Sequence, residues 1–172
     1  RALEIDPKFM EPEYPFEWSG LFELNAGDYH LVLKPGPDPA MNLNFRYANE
    51  PSESGMRDTV EKAVLVFSTD EVVLQSGSVI EPGEQLSQIN LEGDELNYIL
   101  RVPASGSYVL FTEHHPDEFE SFLCDAAGDL VKGLFTREYK PDHEHDEDVM
   151  SVGINTPGDL DSEKFEAWIQ DL

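Results

Sequence analysis

The sequence contains only one cysteine, Cys124, among its 172 residues. A single thiol cannot form an intrachain disulfide, and it excludes a metal site built mainly from thiolates. Long apolar runs are also missing, since none approaches the roughly 18 residues that a membrane-spanning helix needs. The first ten residues carry Glu4, Asp6 and Pro7, which is unlike a signal peptide. We therefore expect a cytoplasmic protein with no membrane partner.

Basic residues are scarce as well. Eleven lysines and arginines stand against 36 aspartates and glutamates, which gives a formal net charge of −25. Such a field repels the phosphate backbone of nucleic acids, so we expect no nucleic-acid partner. It attracts cations instead. A strongly solvated surface would explain the same charge, and composition alone leaves both explanations open.

Catalytic and cofactor motifs are missing too. There is no glycine-rich phosphate loop. An EF-hand starting at Asp142 fails because Glu147 and Gly153 occupy its sixth and twelfth positions. A blue-copper site fails because the first histidine after Cys124 is His143. Carboxylates are so numerous that no catalytic pair stands out. We predict that the chain is not catalytic by itself.

Short apolar segments separated by turns are abundant between residues 18 and 139, a region that we predict to be one β domain. Glycine, proline, asparagine or aspartate lies in the turns between them, which is typical of strands and hairpins. The segments are residues 21–24, 29–33, 41–47, 63–67, 72–74, 86–91, 96–102, 108–111 and 119–124. About eight strands at this spacing predict a mainly β fold, an antiparallel β-sandwich, with a barrel as the alternative. The polar residues 49–58 are predicted to form an exposed loop.

The sequence on either side of this domain has a different character. Residues 1–17 are predicted as a lead-in segment, and residues 140–149 as an acidic, histidine-rich linker. Residues 150–172 are predicted to form a strand and then a helix that begins the next domain. One apolar stripe marks that helix, formed by Phe165, Trp168, Ile169 and Leu172. An isolated helix of this length is marginal in water, so it must pack on the sandwich or on a further domain.

The linker holds the best candidates for a metal site. His143 and His145 are two residues apart, so their side chains point to the same side of an extended chain. Glu144 and Asp146 flank them. Neutral imidazole with carboxylate suits zinc, cobalt or nickel. The competing interpretation is a solvated linker whose histidines bind nothing.

A second pair of histidines follows a predicted strand. His114 and His115 start a loop, where binding residues are often found. Adjacent side chains on an extended chain point apart, so at most one of the two is expected to serve a given site. The alternative is a loop packed by one ring and capped by Asp117. If both histidine clusters lie at one end of the sandwich, a site with three or four ligands becomes possible.

The C-terminal part resembles a known family. Residues 143–154 read HEHDEDVMSVGI and residues 157–168 read PGDLDSEKFEAW, which is similar to the start of the C-terminal domain of the CobW family. In that family a histidine- and acid-rich linker leads into a Ser-Val strand, and a helix with a Leu-Asp and Phe-x-x-Trp pattern follows. Residues 11–18, 35–41 and 110–119 are similar to an extra β domain of some bacterial members.

This resemblance implies a role in metal handling. CobW-family proteins are P-loop GTPases regarded as metal chaperones or insertases for zinc, cobalt and related ions. The Walker A loop and the Cys-x-Cys-Cys motif of their GTPase domain are absent from this sequence, so no GTP hydrolysis is implied for it. What carries over is the linker, with His143 and His145 as metal ligands. The implied partners are a client metalloprotein or the family's own GTPase domain.

Two other functions compete with metal relay. The chain could be a non-enzymatic interaction domain that docks a client through its acidic face or the region of Trp18, with incidental histidines. It could also be an enzyme whose site is assembled from loops, with His114 or His115 on a metal that keeps an open coordination position. Nothing in the sequence requires an enzyme.

Overall fold

The computed structural model describes residues 13–94 and 96–139, and these residues form a mainly β domain. Eleven strands are present in this part of the chain: β1 Trp18–Leu24, β2 Gly27–Leu33, β3 Ala40–Ala48, β4 Glu71–Leu74, β5 Val79–Ile80, β6 Leu86–Asn90, β7 Leu96–Val102, β8 Gly106–Thr112, β9 Phe122–Cys124, β10 Leu130–Val131 and β11 Phe135–Glu138. Two short helices, α1 Glu53–Arg57 and α2 Val60–Phe67, separate β3 from β4, and a 3-10 helix spans Pro116–Phe119.

The strands form two sheets, and the predicted mainly β sandwich is confirmed. One sheet has the order β11-β1-β8-β3-β6-β4 and the other β10-β9-β2-β7-β5. Seven of the nine strand pairs are antiparallel, but β4 pairs with β6 and β5 pairs with β7 in parallel. Both sheets are therefore mixed, a detail that the purely antiparallel prediction missed.

Alternation along the strands builds the core between the sheets. Phe22 and Leu24 of β1 face Leu31 and Leu33 of β2 in one buried cluster, because side chains two residues apart point to the same face of a sheet. The opposite face of the six-stranded sheet is also covered. A second cluster lies there, formed by Phe16, Leu21, Ala48, Met56, Val60, Ala63, Val109, Phe111 and Tyr139. Strands β1 and β8 are consequently buried on both faces.

The helices that contribute to the second cluster correct two predictions. Residues 63–67 form part of α2 rather than a strand, and part of the expected loop 49–58 is α1. Val60, Ala63 and Val66 are buried at three-residue intervals, the spacing of one helical face rather than of a strand. Ser52 caps α1 by accepting a hydrogen bond from the Gly55 amide at 3.0 Å.

Several predicted features lie outside the described residues. These are most of the lead-in segment, the linker 140–149, and the strand and helix expected in residues 150–172. Within residues 13–94 and 96–139, no helix is long and apolar enough to cross a membrane.

Tyr139 packs within the second cluster. Its buried hydroxyl leads to a prediction about stability at alkaline pH. Its hydroxyl shares a hydrogen bond of 3.0 Å with the buried Ser19 hydroxyl, and burial raises the pKa of Tyr139 above 10. The unfolded chain therefore loses this proton at a lower pH than the folded one, so stability should fall as pH rises through 10. Replacing Tyr139 by Phe should cost about 1 kcal/mol at pH 8 and a smaller amount above pH 10.

Urea unfolding of wild type and Tyr139→Phe at pH 8 and pH 10.5 measures this difference. The exposed Tyr47 supplies the matched control, since Tyr47→Phe should change stability little at either pH. An equal loss for Tyr139→Phe at both pH values would contradict the assignment.

Candidate metal centre

The turn after β8 is built by a helix cap. His115 is the N-cap of the 3-10 helix, its Nδ1 accepts a hydrogen bond from the Asp117 amide at 3.3 Å, and Pro116 follows at the first helical position. The Glu118 carboxylate reaches back to the His115 amide, with Oε1 at 3.1 Å from the donor nitrogen. This reciprocal arrangement is a capping box, and it holds the Glu118 side chain against the start of the turn. The cap is thus His115 and not Asp117, which was the alternative expected from the sequence.

His114 lies on the other side of this turn and is buried. Its Nε2 is 3.6 Å from Oδ2 of Asp38, in the loop that joins β2 to β3. Its ring centroid lies 6.1 Å from that of Phe119, which is fully buried at the end of the 3-10 helix. The imidazole is therefore held between the two loops at this end of the sandwich.

Glu17 is brought to the same place by strand pairing. Trp18 of β1 lies opposite Thr112 of β8, and the Glu17 amide donates to the carbonyls of Thr112 and Glu113, both at 3.1 Å. The Glu17 carboxylate then accepts a hydrogen bond from the His115 amide at 3.1 Å. Two carboxylates, those of Glu17 and Glu118, consequently converge on one backbone N–H.

These contacts produce a group of possible metal ligands. One ligand atom from each of Glu17, His114 and Glu118 lies within 4.8 Å of the other two. Ligands about 2.0–2.2 Å from a tetrahedral zinc ion are about 3.4 Å apart, so the three must approach by about 1.4 Å at most. Rotation of the exposed Glu118 side chain can supply much of that movement, at the loss of its capping hydrogen bond to the His115 amide. One imidazole and two carboxylates match the donor sets of zinc and of cobalt or nickel, and three protein ligands leave a coordination position open.

His115 does not belong to this group. Its Nδ1 accepts a hydrogen bond from the Asp117 amide, and its Nε2 is 3.6 Å from Oε1 of Glu138 on β11. Both ring nitrogens therefore face partners within the turn and the neighbouring strand. The structure separates the two adjacent histidines, because His114 belongs to the Glu17–His114–Glu118 group and His115 lies outside it.

Two of the three residues in the group were not among those predicted. Glu118 had a readable signal, since His115-Pro-Asp-Glu118 places Pro at the first helical position and Glu at the third, as a capping box requires. Glu17 had none, because its position depends on the pairing of β1 with β8 and on a hydrogen bond from the His115 amide, 98 residues away. The predicted linker ligands His143, Glu144, His145 and Asp146 lie outside the described residues.

Gly36 supports this site from the β2–β3 loop, and its replacement tests that role. A Cβ on Gly36 would overlap the ring of Phe119, which anchors the 3-10 helix. We expect Gly36→Ala to destabilise the protein by about 1–3 kcal/mol in urea unfolding, the usual cost of overpacking. Gly83→Ala is the matched control, because its new Cβ would meet no atom within 4 Å. Equal stability of the two variants would show that Phe119 can move aside freely.

The comparisons with known proteins do not add a family to this description. No protein-family model matches the chain, and neither curated proteins nor solved structures give a match. The resemblance of residues 143–168 to the CobW family stays a prediction. The functional argument accordingly depends on the described geometry and on the chemistry of the side chains.

Proposed function

We propose that this chain binds and relays a divalent metal ion, with zinc, cobalt or nickel as its cargo. The observation that carries the proposal is the group formed by Glu17, His114 and Glu118. In this proposal the chain is not catalytic. It is the metal-handling and client-recognition part of a cytoplasmic, CobW-like chaperone. Its partners are a client metalloprotein or the GTPase domain of such a chaperone.

The exposure of the three side chains suits a site that binds and releases a metal ion. His114 is buried, Glu17 is half-buried and Glu118 is exposed. An arriving ion would meet Glu118 first and the imidazole last. The net charge of −25 concentrates cations near the surface. Three protein ligands leave room for a fourth from water or from another protein, and ligand exchange at an open position is how an ion can be handed on.

Tyr139, the residue before the linker, is hydrogen-bonded to Glu17, which supports a relay. The Tyr139 amide donates a hydrogen bond of 2.8 Å to the Glu17 carbonyl. His143 follows Tyr139 by four residues, and four residues span at most about 14 Å. His143 is therefore tethered within that distance of a residue bonded to Glu17. This short tether supports a transfer between the linker imidazoles and the Glu17–His114–Glu118 group.

Calorimetry with zinc and with cobalt tests the proposal directly. We expect one ion to bind per chain with an affinity that falls at least ten-fold in Glu118→Gln and in His114→Ala. Because a coordinating imidazole must be neutral, affinity should also fall on acidification. An ion at 100 times its dissociation constant should stabilise the fold by about 2.7 kcal/mol. Magnesium at equal ionic strength controls for general screening of the negative charge.

Matched variants distinguish the two histidine clusters. His30 is half-exposed and its Nδ1 lies 3.1 Å from Oδ1 of Asn97 on the far sheet, so His30→Ala removes an imidazole without touching the group. The pair His143→Ala and His145→Ala removes the linker imidazoles. If the His143→Ala and His145→Ala pair lost metal binding while Glu118→Gln bound normally, the metal site would be assigned to the linker. Unchanged affinity in Glu118→Gln, His114→Ala and the linker pair would end the metal proposal.

A further inference from the structure

A cavity of about 360 Å3 opens between the two sheets on the side where β9 and β10 face β1 and β11. Its walls are mostly apolar side chains of the inner faces, including Trp18, Phe22, Leu31, Leu123 and Val131. Ligand sites in proteins have volumes of about 300–1,000 Å3 and apolar walls with a few polar groups. By size and lining, the cavity falls within that class.

The local sequence explains why the sheets leave this space unfilled. Strand β9 has three residues and β10 only two, so this edge of the five-stranded sheet offers few side chains. The chain then crosses to the other sheet, where the Leu134 amide donates to the Leu21 carbonyl at 2.7 Å. Gly133 in the crossing lines the cavity without a side chain. On β1, Gly20 leaves room for the Trp18 indole, which occupies the space that a Cβ at residue 20 would need.

The rim of the cavity is an exposed apolar patch. Phe122, Leu130 and Leu134 are 45%, 59% and 47% exposed. Phe122 and Leu130 line the cavity, and Leu134 lies in the crossing segment next to Gly133. A cluster of large apolar side chains around an open cavity is typical of a binding site rather than of scattered surface residues.

The polar groups at one end select the kind of ligand. His115, Asp117 and Ser121 line the cavity there, and the Asp117 side chain is 93% exposed. Glu138 lies 3.6 Å from the His115 ring, so a second carboxylate is close to this end. No lysine or arginine is among the described residues that line the cavity. An anionic head group would meet carboxylates here and a net charge of −25, whereas a cationic one would be attracted.

We propose that this cavity binds a small amphiphilic cation, with an apolar body in the space between the sheets and a protonated amine near Asp117. A cavity of 150 Å3 holds one benzene ring, so 360 Å3 accommodates a body of about ten carbon atoms. The site is separate from the Glu17–His114–Glu118 group, and its occupancy does not depend on the metal proposal.

Three probes with one chain length and different head groups test the proposal: decylamine, decanol and decanoate. The full chain with Trp168→Phe keeps Trp18 as its single tryptophan, since the sequence has two. Trp18 fluorescence, measured with a metal chelator present, then reports on the cavity alone. We expect saturable one-to-one binding of decylamine, about ten-fold weaker binding of decanol and the weakest binding of decanoate. Decanoate binding as tight as decylamine binding, or no saturable change, would overturn the proposal.

Variants separate the cavity from general attraction to a negative surface. Val131→Phe fills part of the space and should weaken decylamine binding at least ten-fold. Val79→Phe makes the same change on β5, outside the cavity lining, and should leave binding unchanged. Asp117→Asn should weaken decylamine about three-fold and leave decanol unaffected, as expected for one exposed carboxylate. Equal binding by Val131→Phe and Val79→Phe, or an equal loss of decylamine and decanol in Asp117→Asn, would contradict the assignment.

Discussion

The pairing of β1 with both β8 and β11 is the constraint on which the rest of this structure depends. It holds Glu17 from two sides, because the Glu17 amide donates to the carbonyls of Thr112 and Glu113 while its carbonyl accepts from the Tyr139 amide. A carboxylate at the end of a strand would otherwise sample many positions. A register shift of one residue would exchange the faces of β1 and move Trp18 out of the core between the sheets. The position of Glu17 in the Glu17–His114–Glu118 group and the position of Trp18 in the cavity wall therefore depend on the same strand register.

Two carboxylates meet beside His114 in a chain whose net charge is −25. The carboxylates of Glu17 and Glu118 meet at one backbone N–H, and Asp38 lies beside His114. Like charges this close repel each other, and a single amide donor offsets only part of that repulsion. The exposed carboxylate of Asp28 is instead paired with a cation. The guanidinium of Arg101 donates two hydrogen bonds to it and lowers the pKa of Asp28.

Local pattern was enough to find the central strands. The predicted segment 96–102 coincides with β7, and 29–33 lies within β2, because alternation and bounding turns are properties of short stretches. The same reasoning failed at residues 63–67. A run of five apolar residues suits a strand or a helix equally, and only the burial of Val60 and Ala63 on one face decides for the helix. Strands β5 and β10, each of two residues, are too short to leave any periodic signal.

In the candidate site, the local sequence predicts the turn but not the position of every residue in the group. The turn at His115 and the separation of the two histidines follow from a few neighbouring residues. The position of Glu17 does not, since it requires the pairing of β1 with β8 and a hydrogen bond from the His115 amide, 98 residues away. Phe119 illustrates the same point at the level of packing. It anchors the 3-10 helix beneath Gly36. That helix places Glu118 near Glu17 and His114, while its N-cap His115 lines the cavity. One buried ring therefore positions residues of both sites, which makes tertiary packing, rather than the motif alone, the origin of their geometry.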